Sequence, residues 1–146
     1  MSSTLAKAPP DSLFELATDQ WTEPYWNAAR ERRLVIMRCP ESGVFRFPPS
    51  PFCPVSRSQN VEWVESSGNG IIHSYTIVSR AIIPSMADCI PYVPAVIELP
   101  DVGRIKLISN IVDSPLEEIA VGRPVRLVWY ERPDGICLPR FTLVHA

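Results

Sequence analysis

The alternation of apolar and polar positions changes its period near residue 60. Upstream, Trp21 to Arg33 carries apolar residues at helical spacing. Thr22 is the expected N-cap, Pro24 falls in the first turn, and Trp21 and Trp26 are placed as a hydrophobic staple. Arg30, Arg32 and Arg33 occupy the last turn, where cations suit the helix dipole. Leu34 to Cys39 reads as a short strand, Pro40 to Gly43 as a tight turn, and Val44 to Phe47 as the return strand with Phe45 and Phe47 on one face. Pro48-Pro49-Ser50-Pro51 breaks that pattern, and Cys53-Pro54-Val55-Ser56 forms a second turn.

Downstream the period is two. Val61 to Glu65 alternates, Ser66 to Gly70 is a turn, and Ile71 to Arg80 is rich in β-branched and aromatic residues. Residues 81–94 contain three prolines and read as a long loop. Ala95 to Leu99 and Arg104 to Val112 are strands around the turn at Pro100 to Gly103. Leu116 to Ala120 is a helical turn ending near Gly122; Val125 to Glu131 and Ile136 to Val144 form a last pair joined at Pro133-Asp134-Gly135. One lead-in strand and five main strands without long helices predict a mainly β chain, a small barrel or sandwich. The organisation that follows is a polar arm at 1–17, flexible or docking on a partner; a helix and two knuckles at 18–60; and a β domain at 61–146.

Composition narrows the function classes. Sixteen prolines against six glycines favour turns and strand edges over helix. A net charge of −2 gives no general attraction to nucleic acid or an anionic membrane. No stretch approaches the roughly 20 apolar residues of a membrane span. The first eleven residues lack a basic region followed by an apolar core, so a cytoplasmic location with reduced cysteines is expected.

The most informative pattern is Cys39-x2-Ser42, then Cys53-x2-Ser56. With cysteine at both serine positions it would be a four-cysteine zinc ribbon. Serine ionises far less readily than a thiol, and two thiolates leave a tetrahedral site half empty, so no zinc is expected on these vestigial positions.

Together with Cys39 and Cys53, the residues Trp26, Leu34, Phe47-Pro48-Pro49, Glu62-Trp63, Ser67-Gly68-x-Gly70, Tyr75-Thr76, Pro91-Tyr92-Val93, Val96-x-Glu98-Leu99, Gly122-x-Pro124-Val125 and Leu138-Pro139-Arg140-Phe141 carry a resemblance. In this order and spacing the chain resembles the acyl-CoA-associated OB-fold family with an N-terminal rubredoxin-like zinc ribbon. The resemblance implies an N-terminal helix, zinc-ribbon-like hairpins and a five-stranded Greek-key OB-fold barrel. It also implies a non-catalytic accessory or scaffold subunit of a thiolase-like enzyme, with acyl-CoA as a ligand, no tightly bound cofactor, and homo-oligomerisation left open.

Six cations are the candidate contacts to CoA or to a partner: Arg30, Arg33 and Arg38 near the helix end, Arg80 at the start of the long loop, and Arg104 and Lys106 sharing a strand face. No catalytic residue is assigned. His73 reads as a hydrogen-bonded structural histidine. Cys89 lacks a neighbouring base, and Asp88, Asp101, Asp113 and Asp134 fall in turns, where aspartate serves the backbone. Trp63, Tyr75 and Trp129 read as core or interface residues. The competing readings are a stand-alone binder of single-stranded nucleic acid or a small ligand, which would need a basic, aromatic-lined barrel face, and an acyltransferase or hydrolase using Cys89.

Overall fold

A computed structural model describes residues 4–145. A single helix, α1 (Glu23–Arg30), precedes eight strands: β1 (Val35–Arg38), β2 (Phe45–Arg46), β3 (Glu62–Glu65), β4 (Asn69–Tyr75), β5 (Val93–Leu99), β6 (Ile105–Ile111), β7 (Pro124–Glu131) and β8 (Cys137–Leu143). The first three form a small antiparallel sheet ordered β2-β1-β3. The last five close a barrel in the order β4-β5-β6-β8-β7. β4 bonds both β5 and β7, and β6 meets β8 in parallel at Ile111 and Phe141. This is the OB-fold barrel expected from the resemblance. Among the described residues no helix is long and apolar enough to cross a membrane.

Alternation fixes which side faces inward. In β5, Val93, Ala95, Ile97 and Leu99 are buried while their neighbours are half-buried. Phe141, Ile72, Ile97 and Ile111 fill the barrel, and the same apolar cluster takes in Leu34 and Ile36 from the small sheet, Tyr25 from α1 and Ala6 from the arm. β3 pairs along its whole length with β1.

Asp101 and Gly103 join the two sheets. The Asp101 carboxylate accepts a 2.9 Å bond from the Ser66 hydroxyl and a 2.7 Å bond from the Ser67 N–H, clamping the turn between β3 and β4. Gly103 adopts φ 70°, and a Cβ there would lie 2.6 Å from Cδ2 of Phe45, so the β2 ring sits directly on the β5–β6 turn.

Three local expectations change. The helix is capped by Asp19, not Thr22: the Asp19 carboxylate accepts from the N–H groups of Trp21 and Thr22 at 2.8 and 2.9 Å, and the Thr22 hydroxyl accepts from the Asp19 N–H at 3.0 Å. That reciprocal arrangement is a capping box with its members exchanged. At the other end the helix stops at Arg30, short of the expected Arg33. Arg32 adopts φ 58°, and the N–H groups of Arg32 and Arg33 donate to the carbonyls of Ala29 and Ala28. This is a Schellman ending with arginine where glycine is usual. The arm is also held by the chain itself: Ala6 and Lys7 donate to the carbonyls of Ser114 and Pro91, and Ala6 keeps 1% exposure. Residues 1–3 of that arm lie outside the described residues.

Two measurements check these joints. Gly103→Ala adds a methyl group against Phe45 in left-handed backbone and should cost about 1–3 kcal/mol by chemical denaturation; an unchanged midpoint would show that the seam is slack. For Asp101, burial raises the carboxyl pKa, but the combined hydrogen bonds from Ser67 and Ser66 outweigh it and hold the carboxyl below its ordinary value. A depressed folded pKa stabilises above the unfolded value, and that contribution is lost as pH falls through the folded value. Asp101→Asn should therefore flatten the acid limb of the stability profile below about pH 4 and leave its slope near neutrality unchanged.

Candidate docking face and ribbon core

Both knuckles retain ribbon backbone geometry. The Gly43 N–H donates to Cys39 O at 2.8 Å, and the Arg57 N–H donates to Cys53 O at 3.0 Å. Gly43 and Arg57 take left-handed backbone, φ 73° and 65°, at equivalent positions. The two turns bring the four predicted residues together: Cys39 Sγ and Ser56 Oγ share a 3.3 Å hydrogen bond, as do Ser42 Oγ and Cys53 Sγ. Both sulfurs belong to residues with 0% exposure. The hydroxyls of Ser42 and Ser56, with the Ser56 N–H, draw the Cys53 thiol below its ordinary pKa; the same two hydroxyls lower Cys39.

This donor set does not fit zinc. The hydroxyls are already committed to the thiols, and Glu41, the nearest carboxylate in sequence, is committed to the Ser58 hydroxyl and the Asn60 amide at 3.1 and 2.8 Å. Among the described residues no group of three His, Cys, Asp or Glu side chains is placed to hold a metal. Where a four-cysteine ribbon has four thiolates, this tetrad has two thiols, each hydrogen-bonded to a serine hydroxyl.

The six candidate cations lie on separate elements. Arg33 bonds Glu65 at 2.6 Å and Glu31 at 3.4 Å. Arg38 pairs with Glu62 at 3.4 Å and lies 5.5 Å from the Phe45 ring centroid, both being its cross-strand neighbours. Arg104 reaches Glu98 at 3.7 Å. Arg30, Arg80 and Lys106 are exposed and, among the described residues, have no carboxylate oxygen within 4 Å. His73 departs from expectation: it is the residue skipped where the β4–β5 register shifts, and it is exposed without a side-chain hydrogen bond among the described residues. Asp101, by contrast, serves backbone and hydroxyl groups as turn aspartates do.

The outer wall of β4, β5 and β6 carries the feature that the candidate residues missed. Ile108 stands mid-strand with 77% exposure, beside a shallow cavity of about 280 Å³ lined by Tyr75, Thr76, Pro94 and Val96. The long loop adds Ile82 at 82% exposure, with Ile77, Ile83 and Tyr75 also exposed. The signal was present in the chain: Ile108 falls on the polar phase of β6, between Lys106 and Asn110, and Ile82-Ile83 interrupts an otherwise loop-like segment. Exposed apolar side chains grouped in this way mark interaction surfaces.

The ribbon chemistry yields a direct test. Ser42→Cys with Ser56→Cys should bind close to one zinc per chain by metal analysis, whereas the natural sequence should bind far less; near-stoichiometric zinc in the natural chain would overturn the hydrogen-bonded reading.

Comparison with known proteins places this architecture. Two family models match: the ChsH2 rubredoxin-like zinc ribbon domain over residues 26–62 and the ChsH2 C-terminal OB-fold domain over residues 63–130. A DUF35 domain-containing scaffold protein from Methanothermobacter thermautotrophicus is 33% identical over 76% of this chain and 86% of its own length. A probable enoyl-CoA hydratase alpha subunit from Thermomonospora curvata is 37% identical over 80% of this chain, which spans 35% of that relative's length. Among solved structures, the Ltp2-ChsH2(DUF35) aldolase superposes with a TM-score of 0.79 at 33% identity, over 88% of this chain and 98% of the matched one. The chain belongs to the DUF35 family, in which a ChsH2-type zinc ribbon, here without two of its four cysteines, precedes an OB-fold domain.

Proposed function

We propose that the chain is a non-catalytic scaffold subunit that docks on a thiolase-like catalytic subunit and frames the entrance for its acyl-CoA. The observation that carries this reading is the exposed Ile108, which lines a shallow cavity with Tyr75, together with the exposed Ile82 and Ile83 of the long loop. Isoleucines so exposed are costly in water and gain about 1.5–3 kcal/mol each when covered. Relatives named as scaffold proteins, as a hydratase alpha subunit and as part of an aldolase complex support the same direction. Arg30, Arg80 and Lys106 are the uncommitted members of the cation set and the ones we assign to CoA phosphates or an acidic partner surface.

The competing readings find less support. The exposed barrel wall is isoleucine-rich and not a basic aromatic stripe, which argues against single-stranded nucleic acid. Cys89 shares a cavity with Asp11, Tyr130 and Arg140 and with no histidine, so that cavity supplies no imidazole base for a nucleophile.

Co-expression with the thiolase-like subunit of the same genome should give one complex on gel filtration. Ile108→Asp should weaken it by about 10–100-fold in Kd while leaving the isolated chain folded. Two independent peaks from the natural pair would sink the scaffold reading.

A further inference from the structure

Arg140 of β8 is the outward neighbour of the barrel-filling Phe141, yet it keeps only 7% exposure. Its guanidinium lies over the Tyr130 ring, 4.3 Å from the centroid. Among the described residues it makes no hydrogen bond and has no carboxylate oxygen within 4 Å. Asp11, the closest available counter-charge, accepts a 2.8 Å bond from the Tyr130 hydroxyl. Burial lowers the Arg140 pKa, against the pull of Tyr130, Asp11 and Cys89. Among the described residues, the buried unpartnered guanidinium nitrogens belong to Arg38, Arg46 and Arg132; those of Arg140 keep access to the cavities around it and are free to take a ligand.

Three cavities share Arg140 as a wall. One of about 310 Å³ lies under Pro9 and Pro10 and includes Asp11, Cys89 and Tyr130. A second of about 330 Å³ includes Lys7, Asp113 and Trp129. The third, about 230 Å³, is an apolar groove lined by Phe14, Trp26, Phe47, Leu138 and Pro139 among others. Because the face of the guanidinium is stacked on Tyr130, its edge is the part left to bind a ligand, and that edge carries the planar fork that matches a carboxylate.

We propose that Arg140 anchors a ligand site for an amphipathic monocarboxylate, with the carboxylate on the guanidinium and the apolar body in the groove of Trp26, Phe47, Leu138 and Pro139. Asp11 and Asp113, in the flanking cavities, disfavour a phosphate dianion more than a monoanion. The site does not rest on the docking reading, and the isolated chain tests it without a partner.

Cys89 supplies the reporter, because it is partly exposed while Cys39, Cys53 and Cys137 are buried. Alkylation of Cys89 by iodoacetamide in the 146-residue chain, followed by peptide mass spectrometry, should slow several-fold in octanoate. It should be unchanged in octanol or octyl phosphate. Arg140→Met should abolish the octanoate effect, and Arg140→Lys, which keeps the charge without the fork, should retain only part of it. Circular dichroism shows whether each variant is folded. Titration calorimetry on the natural chain provides a readout that needs no variant: octanoate should give saturable heat that octanol does not. Equal protection by octanol or octyl phosphate, full protection in Arg140→Met, or no octanoate-specific heat would overturn the assignment.

Discussion

Burial of one shared apolar cluster holds the small sheet, the helix, the arm and the barrel together. The strands of the small sheet are two to four residues long, too little for independent stability. Leu34 and Ile36 instead extend the core that contains Phe141, Ile97 and Ile111, and Phe45 seats on Gly103. In zinc-finger peptides a structural zinc supplies an apparent 10–16 kcal/mol at neutral pH. Here four small side chains in two hydrogen-bonded pairs close the knuckles, and the segment also packs on the barrel through Phe45.

That dependence explains how two ribbon cysteines can be replaced without loss of the fold. Serine at positions 42 and 56 preserves a donor and an acceptor beside each thiol, and the backbone turns include left-handed Gly43 and Arg57. The knuckles therefore act as a platform. They fix β1 against β3, and β3 leads through the Asp101 clamp directly into the first barrel strand.

Much of this was legible in the chain because strands with one buried face leave a period-two record. The five barrel strands, the knuckle pairs and the role of Asp101 follow from alternation, spacing and turn chemistry. The missed features are of two kinds: local caps made by unusual residues, and tertiary contacts that leave no local signal. Asp19 caps the helix three residues before the expected cap because Thr22 serves as its reciprocal partner. Arg32 ends the helix without the glycine that usually marks such an ending. The arm looked free because Ala6 is a single small residue, yet its backbone finds partners at Pro91, Asp113 and Ser114. Sequence alone did not show that Glu65, Glu62 and Glu98 hold three of the six candidate cations.

A chain whose local choices agree with its fold should place apolar residues inside and charges outside, and departures mark the positions where something beyond folding is being selected. Ile108 and Arg140 are opposite departures: an isoleucine 77% exposed in mid-strand, and an arginine left 7% exposed without a partner oxygen. Neither contributes to the core: Ile108 leaves apolar surface in water, and Arg140 keeps a partly desolvated charge beside open cavities. Because they sit on the outer face of adjacent, parallel-bonded strands β6 and β8 and line one groove, relief of both costs is confined to one side of the barrel. The ribbon reaches the same groove through Phe47, while its cysteines are held in the pairs Cys39–Ser56 and Ser42–Cys53.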